Sequence, residues 1–285
     1  MKKLYLTLFL FSLSISQDFI HKCGFSHNQL RMARPNLNYF TLSPSGDFRI
    51  HYNTSGQHAA SNAYINAVGQ AADDAKNLLN SMGFLPVIDD ADGKYDIYLQ
   101  NMSMGFYGYN SSDCGGYYAN PNASNYQEYA CTHSEVSGAS FIVIDNNFDY
   151  SCSDFQTQYF CVDENSGTDV MKVTLLHEYF HAVQRAYLEP LALEALEDTY
   201  FMELISTWIE DVGYPDVNDY LNFAYPYLLA PDLNISTYEP GSDYDPGYSL
   251  ALFGHYLTKI YDDVDNEEDG VIIKKILQNF TGDYK

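Results

Sequence analysis

Two histidines four residues apart, with a glutamate directly after the first, stand in the segment Val173-Thr174-Leu175-Leu176-His177-Glu178-Tyr179-Phe180-His181. On a helix, positions i and i+4 share one face, so His177 and His181 can offer both imidazoles to a single Zn²⁺. Glu178 then sits beside the ion, placed to take a proton from water as that water attacks a carbonyl. The surrounding positions are apolar, so the pattern belongs to a helix in the interior rather than to a solvated one.

A catalytic zinc needs a third protein ligand and an open position. Downstream lies Phe201-Met202-Glu203-Leu204-Ile205-Ser206-Thr207-Trp208-Ile209-Glu210-Asp211-Val212. Phe201, Leu204, Ile205, Trp208, Ile209 and Val212 form its buried side. Glu203 is embedded among them, where an uncompensated carboxylate is costly and a metal would relieve the cost. Glu210, seven residues on and on the same face, suits a partner that orients a histidine. Glu194 and Glu197 read as surface residues. A rival third ligand is Asp245, in the acidic turn Gly241-Ser242-Asp243-Tyr244-Asp245-Pro246-Gly247-Tyr248. The oxyanion of a tetrahedral intermediate also calls for a hydrogen-bond donor. Tyr248 is the first candidate for it and His255, seven residues further, the second.

HExxH followed some twenty residues later by a helical glutamate resembles the gluzincin branch of the zincin-like metallopeptidases. More closely, the chain resembles one family of bacterial secreted metalloproteases, through HExFHAxQ (His177 to Gln184) and a block of the form EGxAxWMED…YPxVNDY. That block reads here ELISTWIEDVGYPDVNDY, Glu203 to Tyr220. The family's glycine is Leu204 and its alanine Ser206. The similarity runs from about Asp47 to Leu277, through FRIHY, MGF, YDIYL and FIVID. It implies a zincin-like fold, one zinc held by His177, His181 and Glu203, and peptide-bond hydrolysis with Glu178 as general base. The turn at Asp245 approximates the GTxxDxxY pattern of the aspzincin branch, which would make Asp245 the ligand instead. A rival of another class is a non-catalytic secreted binding module on the same scaffold.

The elements that must position these residues follow from periodicity. Phe48–Tyr52, Tyr95–Leu99 and Ser140–Ile144 read as strands, the last as an edge on which an extended peptide substrate can lie. Residues from about Ala59 to Met82 read as a helix ending at Gly83. Residues 17–47 and 103–135 read as irregular. Thr168 or Asp169 caps a helix running to about Leu188, ahead of Pro190. Further helices are expected over Leu191–Val212, from Tyr248 through Tyr261, and over Val271–Phe280. Strands come first and helices follow, an α+β order. The expected division is a signal peptide over 1–16, an α/β lobe over 17–188 carrying the HExxH helix, and a helical lobe over 189–285.

Met1-Lys2-Lys3, an apolar run from Leu4 to Leu13, and Ser14-Ile15-Ser16 make a secretory signal peptide with cleavage before Gln17. Its roughly 13 apolar residues fall short of the ~20 that a membrane span requires. In an oxidising compartment Cys23, Cys114, Cys131, Cys152 and Cys161 are expected to form disulfides. Cys114–Cys131 and Cys152–Cys161 are favoured and Cys23 is left over, with other connectivities open. With 14 Lys+Arg against 38 Asp+Glu the net charge is −24, which repels nucleic acid and anionic lipid. Asp89-Asp90-Ala91-Asp92-Gly93 offers a weak Ca²⁺ turn that lacks full EF-hand spacing. The expected partner is a peptide or protein substrate.

Overall fold

The computed structural model describes residues 21–23, 34–88, 92–101, 128–134, 139–148, 167–188, 199–218, 246–262 and 270–279, together with 220, 221, 224 and 228. These residues form an α+β structure around a mixed six-stranded sheet. The strands are β1 (His21–Cys23), β2 (Tyr39–Leu42), β3 (Phe48–Tyr52), β4 (Tyr95–Gln100), β5 (Glu128–Ser134) and β6 (Ser140–Asp145). Their order across the sheet is β1-β5-β6-β4-β3-β2. β3, β4 and β6 run parallel, β2 is antiparallel to β3, and β5 is antiparallel to β6 but parallel to β1. The three strands read from the sequence are thus the sheet's centre.

Alternation along these strands sorts the two faces. Ile50, Ile97 and Ile142 lie in register across β3, β4 and β6 and are fully buried. With Phe48, Leu99 and Ile144 they face helix α1 (Asn62–Ser81) and helix α2 (Gly167–Leu188). The opposite face carries Arg49, His51, Asp96, Tyr98 and Phe141. There the buried Asp96 carboxylate is held by Arg34, by Arg49 at 3.4 Å and by His51 Nε2 at 2.6 Å. Burial works to raise the Asp96 pKa, but these partners prevail and hold it below the ordinary value.

Helix α1 begins where Ser61 Oγ accepts from Tyr64 N at 3.2 Å. It ends where Gly83 takes the left-handed conformation (φ +76°), so that Phe84 N can close on Leu79 O. Helix α2 is buried on nearly all sides between Val170 and Arg185, as expected of a central helix enclosed by other elements. Phe48, Tyr95 and Tyr179 pack edge to face with centroids 5.3–6.0 Å apart, anchoring α2 to the sheet. Against its other side lies α3 (Thr199–Gly213). The short α4 (Pro246–Ser249) and then α5 (Ala251–Tyr261) pack on α3, and α6 (Val271–Asn279) follows. One buried core joins Ile50 and Ile97 of the sheet to Trp208, Ile273 and Leu277 of the later helices. No helix among the described residues is long and apolar enough to cross a membrane.

Three expectations are corrected. The strand at Ser140–Ile144 is not an edge: β6 lies between β5 and β4. Residues 103–135, read as loop, contain β5, whose sequence EYACTHS lacks an apolar alternation. Residues 17–47, read as irregular, contain β1 and β2. The β2 side chains Tyr39, Phe40 and Leu42 are all exposed, so this flank of the sheet leaves no period-two trace. The helix expected from Leu191 is described only from Thr199. Residues 1–16, Cys114, Cys152 and Cys161 lie outside the described residues, so neither the signal peptide nor the disulfide pairs are placed.

Contact between α3 and α5 depends on the absence of a side chain at Gly254. A Cβ there would lie 2.7 Å from Trp208 Cβ and 2.8 Å from its Cγ, atoms fixed by the α3 backbone and fully buried. Gly254→Val is expected to lower unfolding stability by about 1–3 kcal/mol through overpacking. Urea denaturation followed by Trp208 fluorescence checks this, and unchanged stability would contradict the close approach.

Candidate metal centre

Facing polar stripes on two largely buried helices build the site. On α2 the stripe is His177, His181 and Gln184; on α3 it is Glu203, Ser206, Thr207 and Glu210. Each follows the i, i+3/i+4, i+7 spacing that keeps residues on one face. All seven are buried, and Glu203, the most exposed of them, reaches only 4%. Their helices meet along these stripes, so the polar atoms satisfy one another where water is excluded.

Three donor atoms converge. His177 Nε2 lies 3.0 Å from His181 Nε2 and 3.1 Å from Glu203 Oε2, and His181 Nε2 lies 3.4 Å from the same oxygen. A tetrahedral zinc with bonds of about 2.0–2.1 Å has ligand atoms roughly 3.3–3.4 Å apart. The triangle is therefore close to one face of such a tetrahedron. Among the described residues this is the group of His, Cys, Asp and Glu side chains whose atoms could hold a metal ion. The donor set, two imidazoles and one carboxylate, fits zinc.

The remaining expected residues are placed as follows. Glu210 Oε1 lies 2.6 Å from His177 Nδ1, so it holds the ring nitrogen that faces away from the triangle. Glu178 is fully buried on α2. Its carboxylate acts on Tyr95 of β4: burial pushes that phenol's pKa up, the Ser140 hydrogen bond and Arg185 oppose this, and Glu178 adds to it. The Tyr248 ring stacks on His177 with centroids 5.7 Å apart and planes 25° off parallel, so α4 closes over the histidine. His255 points elsewhere: its Nε2 is 3.3 Å from Asp211 Oδ2, and its ring lies against Tyr220. Asp245 lies outside the described residues. So do Asp89, Asp90 and Ala91 of the Ca²⁺ turn, while Asp92 is taken up by Arg49 at 2.5 Å and by Lys94 N at 3.0 Å.

Two residues that the sequence reading assigned no role enter the site. Gln184 and Ser206 stand between the helices beside His181. A signal existed in each case: a polar residue continuing the i, i+4, i+7 stripe of the histidines, and a serine amid the buried side of α3.

No protein-family model matches the chain, and no curated protein matches it. The reading of this centre therefore rests on its geometry.

Without a metal, His177 and Glu203 stabilise each other's charged forms. Burial works against a charge on His177, but hydrogen bonds and attraction from Glu203 and Glu210 win and push it up to about 10. Burial likewise disfavours the Glu203 carboxylate, and the two histidines outweigh it and hold it near about 2. The raised histidine contributes stability fully below its ordinary 6.5 and loses it as pH rises through 10. The depressed carboxylate contributes above its ordinary 4.5 and loses it as pH falls through 2. In metal-free protein, the melting-temperature gap between wild type and Glu203→Gln is therefore expected to be widest from pH 4.5 to 6.5. A gap that does not vary with pH would contradict the coupling.

Proposed function

We propose that the chain is an exported zinc-dependent metallopeptidase of zincin-like build. The observation that carries this reading is the convergence of His177 Nε2, His181 Nε2 and Glu203 Oε2 at the spacing of one tetrahedral face, and Glu178 follows the first histidine in the sequence. Two nitrogens and one carboxylate oxygen are three ligands, the number that a catalytic zinc takes from protein, rather than the four of a closed structural site. When bound, the ion supplies Lewis acidity toward a carbonyl oxygen.

The chain's own residues supply the rest. Glu210 orients His177, and a carboxylate bonded to the far nitrogen strengthens an imidazole as a ligand. Glu178 takes the proton of the attacking water and returns it to the leaving amine. Tyr248, packed flat on His177, presents a phenol for the developing oxyanion. Glu203 rather than Asp245 is the third ligand, because its oxygen completes the triangle. The basic start and apolar run at the N-terminus support export, and the strongly acidic composition speaks against a nucleic-acid substrate.

Zinc content and turnover test this together. One zinc per chain is expected in wild type and in Asp245→Ala, and loss of zinc in Glu203→Ala. Retention by Glu203→Ala with loss in Asp245→Ala would move the third ligand to Asp245. Glu178→Gln is expected to retain zinc while peptide hydrolysis falls by about 10²–10⁴-fold. Undiminished hydrolysis by that variant would refute its role, and a zinc-loaded wild type that cleaves no peptide would favour a binding module.

A further inference from the structure

Gln184 follows His181 by three residues on α2, is fully buried, and uses both ends of its amide. Its Oε1 lies 2.8 Å from His181 Nδ1. Its Nε2 donates to the main-chain oxygen of Met202 at 3.0 Å and to Ser206 Oγ at 2.8 Å. A main-chain carbonyl only accepts, so the end of the amide facing Met202 must be the NH₂ group. The end facing His181 is then the carbonyl oxygen, which also only accepts. It follows that His181 carries a proton on Nδ1, so that the neutral imidazole has its lone pair on Nε2. That lone pair is directed at the triangle, 3.0 Å from His177 Nε2 and 3.4 Å from Glu203 Oε2.

We propose that Gln184 is a positioning residue of the metal centre: anchored on the Met202 carbonyl, it locks His181 in the tautomer that ligates through Nε2 and sets the helix of Glu203 in register with it. The proposal rests on the metal reading given above. Met202 immediately precedes Glu203, so a single amide positions the second ligand from one end and the helix of the third from the other. Ser206 adds to the same cradle. Its hydroxyl accepts from Gln184 Nε2 and lies 3.3 Å from His181 Nδ1. The two histidines are thus held differently, His177 by a carboxylate and His181 by a neutral amide. A glutamate at 184 would put a fourth carboxylate beside Glu178, Glu203 and Glu210, all buried, and would lose the donor that Met202 requires. Glutamine is the side chain of this length that satisfies both neighbours without adding charge.

Zinc affinity and the imidazole tautomer test the proposal. In competition with a chromophoric chelator, Gln184→Leu is expected to bind zinc about 10–100-fold more weakly than wild type. Ser206→Ala keeps the Met202 anchor and should lose far less. Long-range ¹H–¹⁵N correlation on metal-free wild type should show His181 protonated on Nδ1, a readout that needs no variant to fold. A purely structural glutamine would lower the melting temperature of Gln184→Leu and leave the affinity of the folded protein at the wild-type value. That result would overturn the proposal, as would an Nε2-protonated His181 in wild type. Failure of wild type to take up zinc would overturn the metal centre itself, and this role with it; unchanged uptake by Gln184→Leu would overturn the role alone.

Discussion

Burying two imidazoles and two carboxylates between apolar helices is unfavourable unless every polar atom finds a partner, and this constraint governs how α2 and α3 pack. Each helix carries its polar residues at one-face spacing, and the stripes are satisfied only when the helices meet in one register. In that register Glu210 reaches His177, Gln184 reaches His181 and Met202, and Glu203 closes the triangle. A slide of one helical turn would leave several buried charges without partners, at a cost of several kcal/mol for a broken buried pair. The same residues that would ligate a metal therefore also specify the helix pairing.

The sheet serves this arrangement by fixing α2. The parallel strands β3, β4 and β6 present an aliphatic face to the helices, and the Phe48–Tyr95–Tyr179 cluster seats α2 on it. Trp208, fully buried, joins α3 to α5 through the close approach at Gly254. That packing keeps α4, with Tyr248, against His177. The site is thus built on helices held from several sides, which suits a ligand set that must keep ångström-level geometry.

Much of this was legible in the sequence, for identifiable reasons. The strands at Phe48, Tyr95 and Ser140 declare themselves because they lie at the centre of the sheet and carry apolar or alternating runs. HExxH is local to one helix, so its geometry follows from spacing alone, and an acidic residue on the apolar side of α3 marked Glu203. What escaped depends on partners distant in the chain. β5 carries no apolar alternation of its own, and its place in the sheet comes from pairing with β6. The reading of β6 as an edge failed for the same reason: no periodicity reveals which strand lies outermost. Gln184 and Ser206 carried a weak signal, polar residues at one-face spacing, that gains meaning only once α2 and α3 face each other. His255 shares a helical face with Tyr248 by spacing, yet Asp211 and Tyr220 draw it away from the triangle.

The central claim is that His177, His181 and Glu203 together form one zinc site. Zinc-edge X-ray absorption on metal-free wild type reconstituted with one equivalent of zinc tests it most directly. The account predicts a four-coordinate spectrum with two imidazoles at about 2.0–2.1 Å, oxygen as the remaining scatterers, and no sulfur. A sulfur shell near 2.3 Å, a single imidazole, or zinc that stays in bulk solution would contradict it.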